Sequence, residues 1–270
     1  MDICYNSTVI FSKINSTLKK GFFMKQIIVL LCLVLYSIPG MALRVELSSD
    51  TFGVSGRSAN RNLFVTNNSQ KMVALEVYAQ SRKIDPNTGV DHLENVESFL
   101  IYPNQLLLQP SEQQVVTITW VGEQKLATEQ AFRLIVEELN LALDEPEESD
   151  GKMSVKLGAL TKVVKAAYVT PSKARAQVVV AKTDIIETKE GKRLRLTLHN
   201  QGTAHKILKQ TAIRVVPVGK DGSPINKQAK EYIPTELKGV LNILAKGQRV
   251  IDIAWPEGLD ASYSKVNVSL

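Results

Sequence analysis

From residue 43 onward, apolar and polar residues alternate along most of the chain. Turn signals break the alternation at intervals of roughly 8–12 residues. LRVELS (43–48) alternates, and NRNLFVTNNS (60–69) places Leu63 and Val65 on one face before a polar turn. MVALEVYAQSRKI (72–84) is a long β-rich run that ends at the turn DPNTG (85–89). QLLLQPSEQQVVTITWVG (105–122) reads as two strands about Pro110-Ser111, and AFRLIVEELN (131–140) as another. A short helix fits that last period as well, but its Val and Ile density favours a strand. DEPEESDG (144–151) is an acidic, solvated connector. After it comes MSVKLGALTKVVKAAYVTP (153–171), where an apolar row is followed by Lys162 and Lys165.

Pro171 to Ala174 marks a boundary, and the pattern then restarts. AQVVVAKTDIIET (176–188) and RLRLTLHNQG (193–202) flank the hairpin turn KEGK. Gly219 and Gly222 bound a second Gly/Asp turn, and the tail holds LNILAKGQRVIDIAWPEG (241–258) and YSKVNVSL (263–270). A loose echo links LFVTNNSQ in the first half with LTLHNQGTA in the second, since each is a strand running into a polar Asn turn. The chain is expected to be all-β, with two antiparallel sandwiches and no βαβ unit.

The N-terminus reads as targeting sequence. Lys25 precedes an apolar run, residues 27–36, too short to span a bilayer, and Gly40 and Ala42 suit a signal-peptidase site. Residues 1–42 are therefore read as an upstream extension plus a signal peptide at about 24–42, with domains at 43–170 and 171–270. Both cysteines, Cys4 and Cys32, fall in the removed part, so the exported chain is expected to rely on core burial without disulfides. Removing Lys13, Lys19, Lys20, Lys25 and Asp2 lowers the net charge from +6 to +3, too small to argue for nucleic acid. No later segment is apolar enough to insert in a membrane.

Hydrophobic content of 44% supplies real cores, and charged content of 22% argues against disorder. Catalytic chemistry is not supported. His92, His199 and His205 lie at no metal-ligand spacing, and no G-x-S-x-G elbow occurs. The carboxylates Glu145, Glu147, Glu148 and Asp150 sit together in the acidic connector, where burial cannot tune them. Asn67-Asn68-Ser69 and Asn267-Val268-Ser269 match the glycosylation sequon, which matters only in a eukaryotic secretory pathway.

The ordered set LFVTNNSQ, LLLQPSEQQVVTITW and AFRLIVEELN, then an acidic loop, an alternating strand and Tyr-x-x-Pro, resembles the first domain of periplasmic pilus-assembly chaperones of the PapD-like family. The smaller second β unit also fits that family, of which this chain would be a divergent member. The resemblance implies two immunoglobulin-like sandwiches in a boomerang. It implies binding of pilin or fimbrial subunits by donor-strand complementation and delivery to an outer-membrane usher in the periplasm. No cofactor, metal or nucleic acid would take part. By the same resemblance Met153, Val155, Leu157, Ala159 and Thr161 form the donor row, and a basic residue after it anchors the subunit's C-terminal carboxylate. Register from the row points to Lys162, which is the preferred anchor, and counting back from Pro171 points to Lys165, the second choice. The family's first-strand Arg falls on Ser49, so either Arg61, or failing it Arg44, supplies a second positive charge, or the site has none. The family's Glu near the end of its F strand matches the structural Glu138, while its Arg partners fall on Thr117 and Thr170. An exposed apolar edge favours a self-capping dimer. The alternative is a secreted Ig-like adhesion or carbohydrate-binding module, against which stand an aromatic content of 6% and the lack of an acidic Ca²⁺ loop.

Overall fold

The computed structural model describes residues 43–140 and 160–270. The apolar rows fix the strands. In the first half these are β1 (Leu43–Leu47), β2 (Thr51–Phe52), β3 (Asn60–Asn67), β4 (Val73–Ile84) and β5 (Asp91–Asn95). β6 (Phe99–Tyr102), β7 (Gln105–Leu108), β8 (Gln113–Trp120), β9 (Gln130–Glu138) and β10 (Lys162–Val169) follow. One sheet runs β1-β3-β8-β6, and the facing one runs β2-β10-β9-β4-β5, with β7 also on β4. These are the two faces of an immunoglobulin-like sandwich. The chain changes sheet between β1 and β2: β1 pairs antiparallel with β3, and β2 pairs parallel with β10.

Alternation decides which side chains fill this sandwich. Leu63 and Val65 of β3 and Val116 and Ile118 of β8 are fully buried, as are Leu134 and Val136 of β9. Each such side chain contributes roughly 1.5–3 kcal/mol by leaving water. Phe99 packs edge-on against Phe52, Trp120 and Phe132, with ring centroids 5.0–5.4 Å apart.

The second half holds β11 (Val178–Thr188), β12 (Gly191–Asn200), β13 (Lys206–Lys209), β14 (Ile213–Pro217) and β15 (Lys230–Tyr232). β16 (Val240–Ile243), β17 (Gln248–Ala254) and β18 (Val266–Ser269) complete it. They form the sheets β11-β12-β17, β13-β16 and β15-β14-β18 around a second core that includes Leu194, Leu196, Leu198, Val215 and Ile253. Among the described residues the only helical elements are three short 3₁₀ turns, and no helix is long and apolar enough to cross a membrane. The expected all-β class is present, as are the strands read from alternation within the described residues; the alternating row at 153–159 lies outside them. β2, β5, β6, β13 and β15 were not expected.

Candidate functional site

β10 is bonded along its whole length to β9, from Lys162↔Glu137 to Val169↔Gln130. Its other side meets β2 only at Tyr168↔Thr51 and Val169↔Phe52. Tyr168 N–H donates toward that side, to Asp50 O at 2.7 Å. Because peptide groups alternate along a strand, Lys162, Val164 and Ala166 also direct their N–H and C=O groups away from β9. No described strand pairs with them there. This leaves an open edge three alternate residues long. Val164 is 44% exposed on it, and Leu160, just before the strand, is 55% exposed.

The two lysines lie on opposite faces of this strand. Lys162 faces outward. Its Nζ donates to Tyr78 Oη at 3.1 Å and to Glu137 Oε2 at 3.3 Å, and the Tyr78 hydroxyl donates to the same carboxylate oxygen. The hydrogen bond to Tyr78, reinforced by Glu137, holds the Lys162 ammonium above its ordinary range. The same Tyr78 hydroxyl, followed by Lys162, holds the Glu137 carboxyl below its own. Lys165 shares the inward face with Val163, Ala167 and Val169, all packed on the core. It is half-buried and makes no hydrogen bond or ion pair among the described residues.

Arg61 has the parity of Leu63 and Val65 and also faces inward from β3. Its guanidinium lies over the Phe52 ring, 5.7 Å from the centroid, and Nε donates to Thr51 O at 2.8 Å. It thus sits where β2 joins β10. Arg44 is instead paired with Glu46 on the surface. Ser49 caps its own turn through Thr51. Met153, Val155, Leu157 and Ala159 lie outside the described residues. Thr161 is described: its N–H donates to Glu138 Oε2 at 3.0 Å, and Glu138 N–H donates to Thr161 O at 2.9 Å. Glu138 therefore fastens the start of β10 to the end of β9.

A second constellation escaped the sequence reading. Glu129, buried just before β9, accepts from Thr170 Oγ1 at 2.7 Å and from His205 N–H at 2.8 Å, and His205 Nδ1 lies 2.7 Å from the same oxygen. Tyr168 stacks on the His205 ring at 3.7 Å and accepts from Asn242 Nδ2 at 2.7 Å. Thr170, which lacks the charge of the expected Arg, is thus the partner of Glu129 rather than of Glu138. Thr117 lies on β8, opposite Asn62 and Tyr102, away from both. Among the described residues, no group of three or more His, Cys, Asp or Glu side chains could hold a metal ion.

The sequence matches no family model and no curated protein sequence. In structure the chain is similar to solved chaperones. One is the CsuC-CsuE chaperone–tip adhesion subunit pre-assembly complex from the archaic chaperone-usher Csu pili of Acinetobacter baumannii: 11% identity, TM-score 0.48, covering 83% of this chain and 96% of that one. Another is the Salmonella enterica SafA pilin in complex with the SafB chaperone: 12% identity, TM-score 0.45, 81% and 86% covered. A third is the periplasmic chaperone SfaE: 12% identity, TM-score 0.40, 84% and 98% covered.

Proposed function

We propose that the protein is a periplasmic chaperone for pilus or fimbrial subunits that completes an unfinished subunit sheet with β10 and the segment leading into it. It would then pass the subunit to an outer-membrane usher. The observation that carries this reading is the open edge of β10. Unpaired peptide groups beside exposed apolar side chains are what strand addition uses: main-chain bonds supply affinity, and alternate side chains fill pockets. Lys165 and Arg61 together suit the anchoring of a terminal carboxylate. Both are inward-facing cations, Arg61 at the β2–β10 junction and Lys165 three residues before Tyr168, where β2 meets β10. Lys162 already has Glu137 as its counter-ion, so Lys165 is the better anchor.

Co-expression with a cognate subunit tests the reading. Leu157→Arg and Lys165→Ala should each reduce subunit recovery about tenfold or more, while Lys162→Ala should have a smaller effect. Melting curves of the purified variants separate lost binding from lost folding. Equal recovery by stably folded variants of all three kinds would sink the proposal.

A further inference from the structure

A cavity of about 370 Å³ opens where the end of β4 and the start of β9 meet the turn between β16 and β17. That volume lies within the range of small-molecule pockets, roughly 300–1,000 Å³. Ile84, Phe132 and Leu244 give it apolar walls, and Arg82, Lys83, Glu129 and Arg249 give it charge. Two of these charges are already engaged. Arg82 Nε donates to Asp91 at 2.9 Å, and both Glu129 oxygens accept from Thr170 and His205. Arg249 has no such partner: its guanidinium makes no hydrogen bond or ion pair with any described residue, and its Nε is buried. A buried N–H bonded to no protein acceptor destabilises the fold unless something else accepts from it.

The guanidinium is also held in position. The 85–89 turn folds against it, with Pro86 O accepting from Val250 N–H at 2.7 Å. Gly89 has φ +74°, and a Cβ there would lie 2.4 Å from Arg249 Nη2. Glycine at this place lets the turn take a left-handed conformation and lets the guanidinium approach its backbone. Burial, together with the neighbouring Arg82, draws the Arg249 guanidinium below its ordinary range, the direction that a bound anion would reverse.

We propose that this cavity binds a small organic carboxylate, its two oxygens paired with the Arg249 fork and its apolar body against Ile84, Phe132 and Leu244. A planar guanidinium matches a carboxylate in two parallel bonds. A phosphate would turn further charged oxygens toward apolar walls.

Isothermal titration of the purified full chain with benzoate, and separately with inorganic phosphate, tests this. Benzoate should bind one to one, and phosphate about tenfold more weakly or not at all. Arg249→Gln should weaken benzoate about tenfold or more, and Arg249→Lys, which keeps the charge but not the fork, should fall between. Melting curves of both variants are recorded alongside. If Arg249→Gln does not fold, Arg249→Lys carries the test with a loss still expected. No benzoate binding to wild type, equal benzoate affinity in the folded variants, or phosphate binding as tightly as benzoate would overturn the proposal.

Discussion

Asn67 closes the end of β3 by donating from Nδ2 to Lys71 O, Leu108 O and Gln109 O, while its Oδ1 accepts from Ser69. Asn200 does the same at the end of β12, donating to Ala204 O, Ile243 O and Leu244 O and accepting from Gly202 N–H. Both side chains are fully buried. The echo between LFVTNNSQ and LTLHNQGTA is therefore a repeated structural device, in which one amide ties a strand end to a distant strand's last carbonyls. Asn67→Ala or Asn200→Ala would orphan those groups, and urea unfolding should show a loss of about 2–3 kcal/mol for each. A buried, fully bonded Asn67 is also no glycan acceptor in the folded protein. Asp91 offers a pH test at the same scale. Burial pushes its carboxyl up, but hydrogen bonds from Arg133 and Arg82 outweigh this and leave it below its ordinary 3.8. A depressed carboxylate stabilises the fold above the unfolded value, and that stability is lost as pH falls through the folded one. Asp91→Asn should therefore destabilise the protein near neutral pH, and the difference from wild type should shrink below about pH 3.8 in urea titrations.

Among the elements, β10 has two unlike sides, and proline can tell them apart. Val164→Pro removes an N–H that points to the open edge, where β9 loses nothing, so folding should persist while subunit capture falls. Val163→Pro removes a bond of the β9 ladder and should lower stability by about 3 kcal/mol or more, read by thermal melting. Subunit capture by Val164→Pro at the wild-type level would show that this edge is not used. The sequence made β3, β4, β8 and β9 legible through their alternating apolar rows, and β10 through its Val-rich continuation of the row before it. β5 was not legible: its residues, DHLEN, are polar apart from Leu93, and four of the five are exposed. It is recruited by pairing with β4 rather than by its own pattern. The choice between Lys162 and Lys165 was not legible either. It depends on which face of β10 each side chain takes, and the two apolar rows on either side of Thr161 give opposite counts. Glu129 gave no local signal at all, since its partners Thr170 and His205 are 41 and 76 residues away.

Across the described residues, each sandwich has its own core, and partly buried polar bonds join them. Glu129 takes hydrogen bonds from Thr170, at the end of the first half, and from His205 in the second. Glu129→Ala would leave those donors without their carboxylate and cost roughly 1.5–3 kcal/mol. Calorimetry should then resolve two unfolding transitions in place of one, whereas a single transition at the wild-type temperature would show that the junction does not couple the halves. The central claim, that the β10 edge completes another protein's sheet, is read most directly by amide hydrogen exchange of the protein alone and mixed with a candidate pilus subunit. The account predicts that Lys162, Val164 and Ala166, exchange-prone in the free protein, become strongly protected in the complex, while Val163, Lys165 and Ala167, already bonded to β9, change little. Unchanged exchange at Lys162, Val164 and Ala166 in a complex protected elsewhere would contradict it.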